Sequence, residues 1–122
     1  MEACKLYDAE FKFVSLIWEH EPIGSGELVA LCQEKLGWKK STTYTVLRKL
    51  CARGVLQNRD SVVTALVARS QVQHYESEAL LARAFDNSLP AFLAAFSKSK
   101  RLTAQEVAQL QSMIDDYQEE EP

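Results

Sequence analysis

Residues 37–54, Gly-Trp-Lys-Lys-Ser-Thr-Thr-Tyr-Thr-Val-Leu-Arg-Lys-Leu-Cys-Ala-Arg-Gly, decide how the rest of the chain is read. Gly37 can take the positive φ that ends one helix, and Gly54 offers the same stop to the next. Between them Val46, Leu47 and Leu50 recur at helical spacing, so a helix over about Ser41–Arg53 turns them toward a core. Thr43, Tyr44, Arg48 and Lys49 then lie largely on other faces. A short turn, Gly37 to Lys40, joins this helix to an earlier one marked by Leu28, Leu31, Cys32 and Leu36, which starts at Ser25 or Gly26. Two short helices across a tight turn, the second polar and basic on one side, make a helix-turn-helix pattern.

Working outward, Phe11, Val14, Ile17 and Trp18 give an earlier helix from Asp8 to His20 an apolar face, with Asp8 able to accept amide protons at its start. Glu21-Pro22-Ile23-Gly24 ends it, because proline disfavours a helical residue before it. Downstream, Val55-Leu56 and Val62–Val67 are β-prone and separated by Gln57-Asn58-Arg59-Asp60-Ser61, which reads as a hairpin lying against the three helices. From about Val72 the chain turns helical again, with Tyr75, Ala79, Leu80, Phe85 and Leu89 along one line and a break at Asn87 to Pro90. Phe92, Leu93 and Phe96 follow, then a link at Ser97–Arg101. Thr103-Ala-Gln-Glu106 is a capping box that opens a last helix carrying Val107, Leu110, Ile114 and Tyr117, with a frayed tail from Glu119.

The expected fold is mainly α with a small β wing. Residues 1–70 form a winged helix-turn-helix DNA-binding domain and residues 71–122 a helical dimerisation domain. The second part has long apolar stripes and few elements to fold back on. Leu80, Phe85, Leu89, Phe92, Leu93, Phe96, Val107, Leu110, Ile114 and Tyr117 are therefore expected to meet a second copy in a homodimer.

A net charge of -3 hides an uneven distribution. Residues 1–70 carry ten Lys/Arg against eight Asp/Glu, and residues 71–122 carry four against nine. Between Lys35 and Arg59 lie seven basic residues and no acid. A recognition helix needs short polar and basic side chains that reach base edges in a groove about as wide as a helix. Ser41, Thr42, Thr43, Tyr44 and Arg48 offer such a face, Thr43 by its hydroxyl or its methyl, Tyr44 and Arg48 by their length. Lys39 and Lys40 lie where exposed helix amides attract a phosphate, Lys49 extends the basic face, and Arg59 at the hairpin tip reaches toward backbone or minor groove. The partner implied is double-stranded DNA. Other readings stay open at this level: a plain solvated face for the basic residues, Thr42 packed inward, and Arg53 as a partner of the helix dipole. Trp18 and Trp38 read as packing residues rather than stacking platforms for bases.

Other function classes find little support. Cys4, Cys32 and Cys51 form an odd set without paired spacing, which fits buried thiols in a reducing cytosol, and His20 and His74 lack ligand spacing. Ser, His and Asp never assemble into a set, and no glycine-rich phosphate loop occurs. Neither an enzyme, a cofactor nor a metal is expected. No apolar run nears the ~20 residues of a membrane span, and no leader pattern opens the chain, so a cytoplasmic protein is expected.

Asp8-Ala9-Glu10-Phe11 with Ile17-Trp18-Glu19, then Trp38 through Leu50, and then Arg53-Gly54-Val55-Leu56 together resemble the penicillinase and methicillin-resistance repressors and their copper-responsive relatives. The likeness extends through Phe85-Asp-Asn-Ser-Leu89 and the Leu102-Thr-x-x-Glu106 lead into the last helix, so it covers nearly the whole chain. The resemblance implies a bacterial repressor that blocks transcription from a palindromic operator as a dimer. On matching positions it implies that Lys40, Thr42, Thr43, Tyr44 and Arg48 approach the major groove, with Arg59 in the wing. This chain departs from the family pattern in carrying Lys39-Lys40 where Ser-Pro is common, and Arg59-Asp60-Ser61-Val62 where a Gly-Arg tip is usual. It has Ala95-Phe96 where antibiotic-responsive members are cleaved at Asn-Phe, and no cysteine-rich tail of the copper-responsive kind. The inducing signal, and any sensor or protease that delivers it, therefore stays open. The competing reading is a winged-helix protein-interaction module without DNA binding, which the net acidity and the altered wing favour.

Overall fold

The computed structural model describes residues 2–99 and 101–117; the tail expected to fray from Glu119 lies outside them. A 3-10 turn at Glu2–Cys4 precedes α1 (Asp8–His20), β1 (Ile23–Gly24), α2 (Ser25–Leu36), α3 (Lys40–Ala52), β2 (Leu56–Arg59), β3 (Val62–Ala65), α4 (Arg69–Ala84), α5 (Leu89–Ser99) and α6 (Ala104–Asp116). The architecture is mainly helical with a small three-stranded wing, as expected of a winged helix. The chain divides into one compact unit up to Leu80 and a second from Leu81, so the division falls inside α4.

In the first unit, α1 buries Phe13, Val14 and Ile17 completely. Phe13 is the centre of its inner face, where spacing pointed to Phe11. Phe11 stays at the rim, edge-on to Trp18 at 5.8 Å. The start of α1 is held by Glu10, whose Oε1 accepts the Tyr7 N–H at 3.0 Å, while Asp8 is the exposed first helical residue and makes no such cap. On α2, Leu28 and Cys32 are fully buried. Gly37 takes φ 70°, and Trp38 then stacks on Phe13 at 5.4 Å, which pins the turn between α2 and α3 onto α1. On α3, Thr43, Leu47 and Leu50 face the core, and Gly54 at φ 80° ends the helix.

The sheet runs β1-β3-β2 and is antiparallel, with Ile23 opposite Val63, Leu56 opposite Ala65 and Arg59 opposite Val62. The hairpin is tighter than the loop Gln57–Ser61 read from sequence. Its strands run to Arg59, and only Asp60 and Ser61 turn, both at positive φ (53° and 64°). That is the mirror-image turn whose twist suits a two-residue hairpin. β1 was not anticipated; Ile23-Gly24 reads as a helix terminator, yet it supplies a third strand. The Ser61 carbonyl accepts the Ser25 N–H at 2.8 Å, tying the wing tip to the start of α2. Val55, Leu56, Val63 and Val67 join the helices in one core, and the Trp18 indole donates to the Val67 carbonyl at 2.9 Å.

The helix α4 starts three residues before the expected Val72, which is itself fully buried. In the second unit the break falls at Asp86 and Asn87, at φ 49° and 61°. Ser88 then caps α5 by accepting the Ala91 N–H at 3.1 Å, and Pro90 sits in the first turn, where its lack of an N–H is harmless. The capping box of α6 forms as read: the Thr103 N–H donates to Glu106 Oε1 at 2.8 Å, and the Glu106 N–H to Thr103 Oγ1 at 3.0 Å. Phe92 meets Phe85 edge-on at 5.4 Å and stacks with Phe96 at 6.0 Å. Even so, neither α5 nor α6 contains a buried residue.

Candidate nucleic-acid interface

The helix α3 has two unlike sides because its apolar residues recur every three or four positions. With Thr43, Leu47 and Leu50 turned inward, Ser41, Thr45 and Arg48 form an exposed line at spacings of four and three. Lys40, Thr42 and Lys49 are exposed on its flanks. Thr45 was missed in the sequence reading, although its spacing from Ser41 and Arg48 was there to find. Its hydroxyl donates to the Ser41 carbonyl at 2.9 Å, which leaves the oxygen lone pairs facing outward.

Thr43 has no exposed surface, and its hydroxyl donates to the Lys39 carbonyl at 3.3 Å. It is a core residue, and its assignment to the groove is corrected on that ground. Tyr44 is half-buried, its hydroxyl 3.5 Å from Ser25 Oγ on α2, so only part of the ring is available. Lys39 is the N-cap residue of α3 and provides no side-chain cap. The first-turn amides of α3 are thus uncapped beside the exposed Lys39 and Lys40, an arrangement suited to an anion. Among the described residues Lys39, Lys40 and Arg48 have no carboxylate within ion-pair distance.

The acid missing from the Lys35–Arg59 stretch arrives from α1. Glu10, 7% exposed, accepts Arg53 Nη1 on both oxygens at 3.0 and 3.1 Å and lies 3.6 Å from Lys49 Nζ. Burial alone would raise the Glu10 carboxyl, but the Tyr7 N–H, the Arg53 guanidinium and the Lys49 charge outweigh it and hold its pKa below the ordinary value. Arg53 is therefore a partner of Glu10 rather than of the helix dipole. Arg59 ends β2, exposed, next to the Asp60-Ser61 turn. Burial pushes the Cys32 and Cys51 thiols up, against weaker opposing hydrogen bonds from Thr43 and the Asn58 backbone. All three cysteines are free thiols.

The residues expected at a dimer interface divide by exposure. Leu80, Phe85, Phe92, Leu93 and Leu110 are half-buried. Leu89, Phe96 and Val107 are exposed, and so are Ile114 at 67% and Tyr117 at 72%. Met113, 69% exposed beside Ile114, belongs with them and was not singled out by spacing.

No cluster of His, Cys, Asp and Glu able to hold a metal occurs among the described residues, and no helix among them is long and apolar enough to cross a membrane. A family model described as Penicillinase repressor matches residues 6–116. The chain is also similar to a protein of Bacillus licheniformis named Penicillinase repressor, 23% identical over 117 residues, covering 93% of this chain and 91% of that one. A match spanning both units and the α3 face decides the assignment: the chain belongs to the penicillinase repressor family.

Proposed function

We propose that this chain is a sequence-specific DNA-binding repressor that acts as a homodimer on a palindromic operator. The observation that carries this reading is the exposed, acid-free line Ser41–Thr45–Arg48 on α3, backed by the fully packed stripe of Thr43, Leu47 and Leu50. With α3 in the major groove, Arg48 can donate two hydrogen bonds to guanine, the Ser41 and Thr42 hydroxyls can meet either base type, and the Thr45 oxygen can accept from a base amino group. Lys39, Lys40 and Lys49 neutralise phosphates, which position the helix without reading sequence. Arg59 reaches the neighbouring backbone only as far as a two-residue wing turn allows.

The second unit supplies the two-fold partner. The exposed apolar residues of α5 and α6 match the same faces of another copy, and a two-fold dimer presents two α3 helices to half-sites about 10 base pairs, or one helical turn, apart. The DNA-binding part then comprises the unit up to Leu80 and the dimerisation part the unit from Leu81.

A mobility-shift titration against the chain's own promoter region at several salt concentrations tests this. Wild-type protein binds with affinity that falls steeply as salt rises, and joint charge reversal by Lys40→Glu and Arg48→Glu abolishes the shift. Binding unaltered by that pair would remove α3 from the interface. No binding by the wild type at low salt would favour a protein-interaction module.

A further inference from the structure

Beside the α3 face assigned to the groove, Lys5, Tyr7, Lys49 and Arg53 line an open cleft of about 380 Å³. Glu10 has both oxygens occupied by the Arg53 guanidinium and lies 3.6 Å from Lys49 Nζ, and among the described residues no carboxylate lies within ion-pair distance of Lys5. The other guanidinium nitrogen of Arg53 donates to the Lys5 carbonyl, so the segment before α1 is tied to the end of α3. Lys5 lies between two anchored neighbours, Cys4 at 3% and Leu6 at 8% exposure. Its backbone is thus held in place while its ammonium stays in solvent, 5.8 Å from the centre of the exposed Tyr7 ring. Nothing in the spacing of the sequence marks Lys5, because its partners are 44 and 48 residues away.

The cleft lies at the C-terminal end of α3, and Lys39 and Lys40 lie at the N-terminal end. A helix of 13 residues is about 20 Å long, whereas the major groove is about 12 Å wide. A helix lying across that groove therefore brings both of its ends to phosphate backbones, one on each side. We propose that Lys5, together with Lys49, binds two adjacent backbone phosphodiesters on the strand opposite the one met by Lys39 and Lys40. This assignment rests on the repressor reading above and adds a contact to it from outside the helix-turn-helix. Arg53 and Glu10 act as positioning residues that hold the two ammonium groups on one cleft.

Fluorescence anisotropy with the full-length chain and a mixed-sequence duplex, long enough for two half-sites about 10 base pairs apart, tests the assignment across a potassium chloride series. Each phosphate contact adds about 0.9 to the slope of log affinity against log salt. Lys5→Gln is expected to lower that slope by about 0.9 per DNA-bound protomer, and Lys5→Gln with Lys49→Gln by roughly twice as much. Lys12→Gln, an exposed lysine on α1 outside the cleft, is expected to leave it unchanged, and thermal melting verifies that each variant is folded. A wild-type slope in folded Lys5→Gln, with binding intact, would overturn this assignment alone. Absence of any salt-dependent binding by the wild type would overturn the repressor reading and this contact with it.

Discussion

Glu10 is the residue on which the helix-turn-helix and the chain's opening segment converge. It caps α1 through the Tyr7 N–H and anchors the end of α3 through Arg53. Glu10→Gln keeps the shape and removes the charge, leaving the half-buried guanidinium without its counter-ion; urea unfolding is expected to show a loss of about 1–3 kcal/mol. Because the folded carboxyl lies below its ordinary value of 4.5, its stabilisation is complete above that value and is lost as the pH falls through the folded pKa. Wild-type Tm should therefore drop on acidification below about pH 4.5, with a shallower drop in Glu10→Gln. A pair of substitutions separates the core side of α3 from its proposed interface side. Thr43→Val, wholly inside, should leave DNA affinity unchanged, whereas Thr45→Val should weaken binding to a cognate site by about 1 kcal/mol, the worth of a hydrogen bond. Equal effects from the two would show that the outward face has been misplaced.

At the scale of elements, the wing and the turn between α2 and α3 are set by residues with positive φ. Asp60 and Ser61 adopt a conformation that Asn-Gly adopts with less strain. Replacing them by Asn-Gly should stabilise the first unit by up to about 1 kcal/mol, seen as a raised Tm, and the Ser25–Ser61 backbone hydrogen bond should survive because no side chain makes it. Gly37 has open space where a side-chain methyl would stand, so Gly37→Ala meets no clash; the cost comes from its φ of 70° alone. A loss of about 1–2 kcal/mol in chemical denaturation is expected. A neutral result would mean that the turn relaxes, with Trp38 leaving its stack on Phe13.

For the whole molecule, the second unit is the informative part. Its two helices have no buried residue, and the side chains left in solvent are large and apolar. Burying such side chains is worth roughly 1.5–3 kcal/mol each, enough for a few to stabilise an association. Sedimentation should find a dimer at micromolar concentration, and Ile114→Asp with Met113→Asp should yield monomers whose first unit melts as before. A wild-type monomer at that concentration would remove the dimer from the proposed function. Monomeric variants should also lose most affinity for a two-half-site duplex, since the second α3 no longer benefits from the first being bound.

Much of the fold was legible in the sequence because local rules wrote it. The three- and four-residue spacing of Leu28, Cys32, Leu47 and Leu50 marks the helix pair, Gly37 and Gly54 mark its stops, and Thr103 with Glu106 marks the last helix start. Each of these depends on neighbours within a turn or so. What failed depended on distant partners. Ile23-Gly24 became a strand only because Val62 and Val63 lie beside it, and Glu10 became an ion-pair centre only because α3 ends next to α1. The proposed α3 interface follows the same division. Sequence alone determined the acid-free stretch from Lys35 to Arg59, and with it a basic helix-turn-helix. Only the tertiary structure decided that Thr43 faces inward, that Thr45 faces outward, and that Lys5 joins Lys49 at the far end. The helical period settles which residues share a side, but packing settles which side is covered.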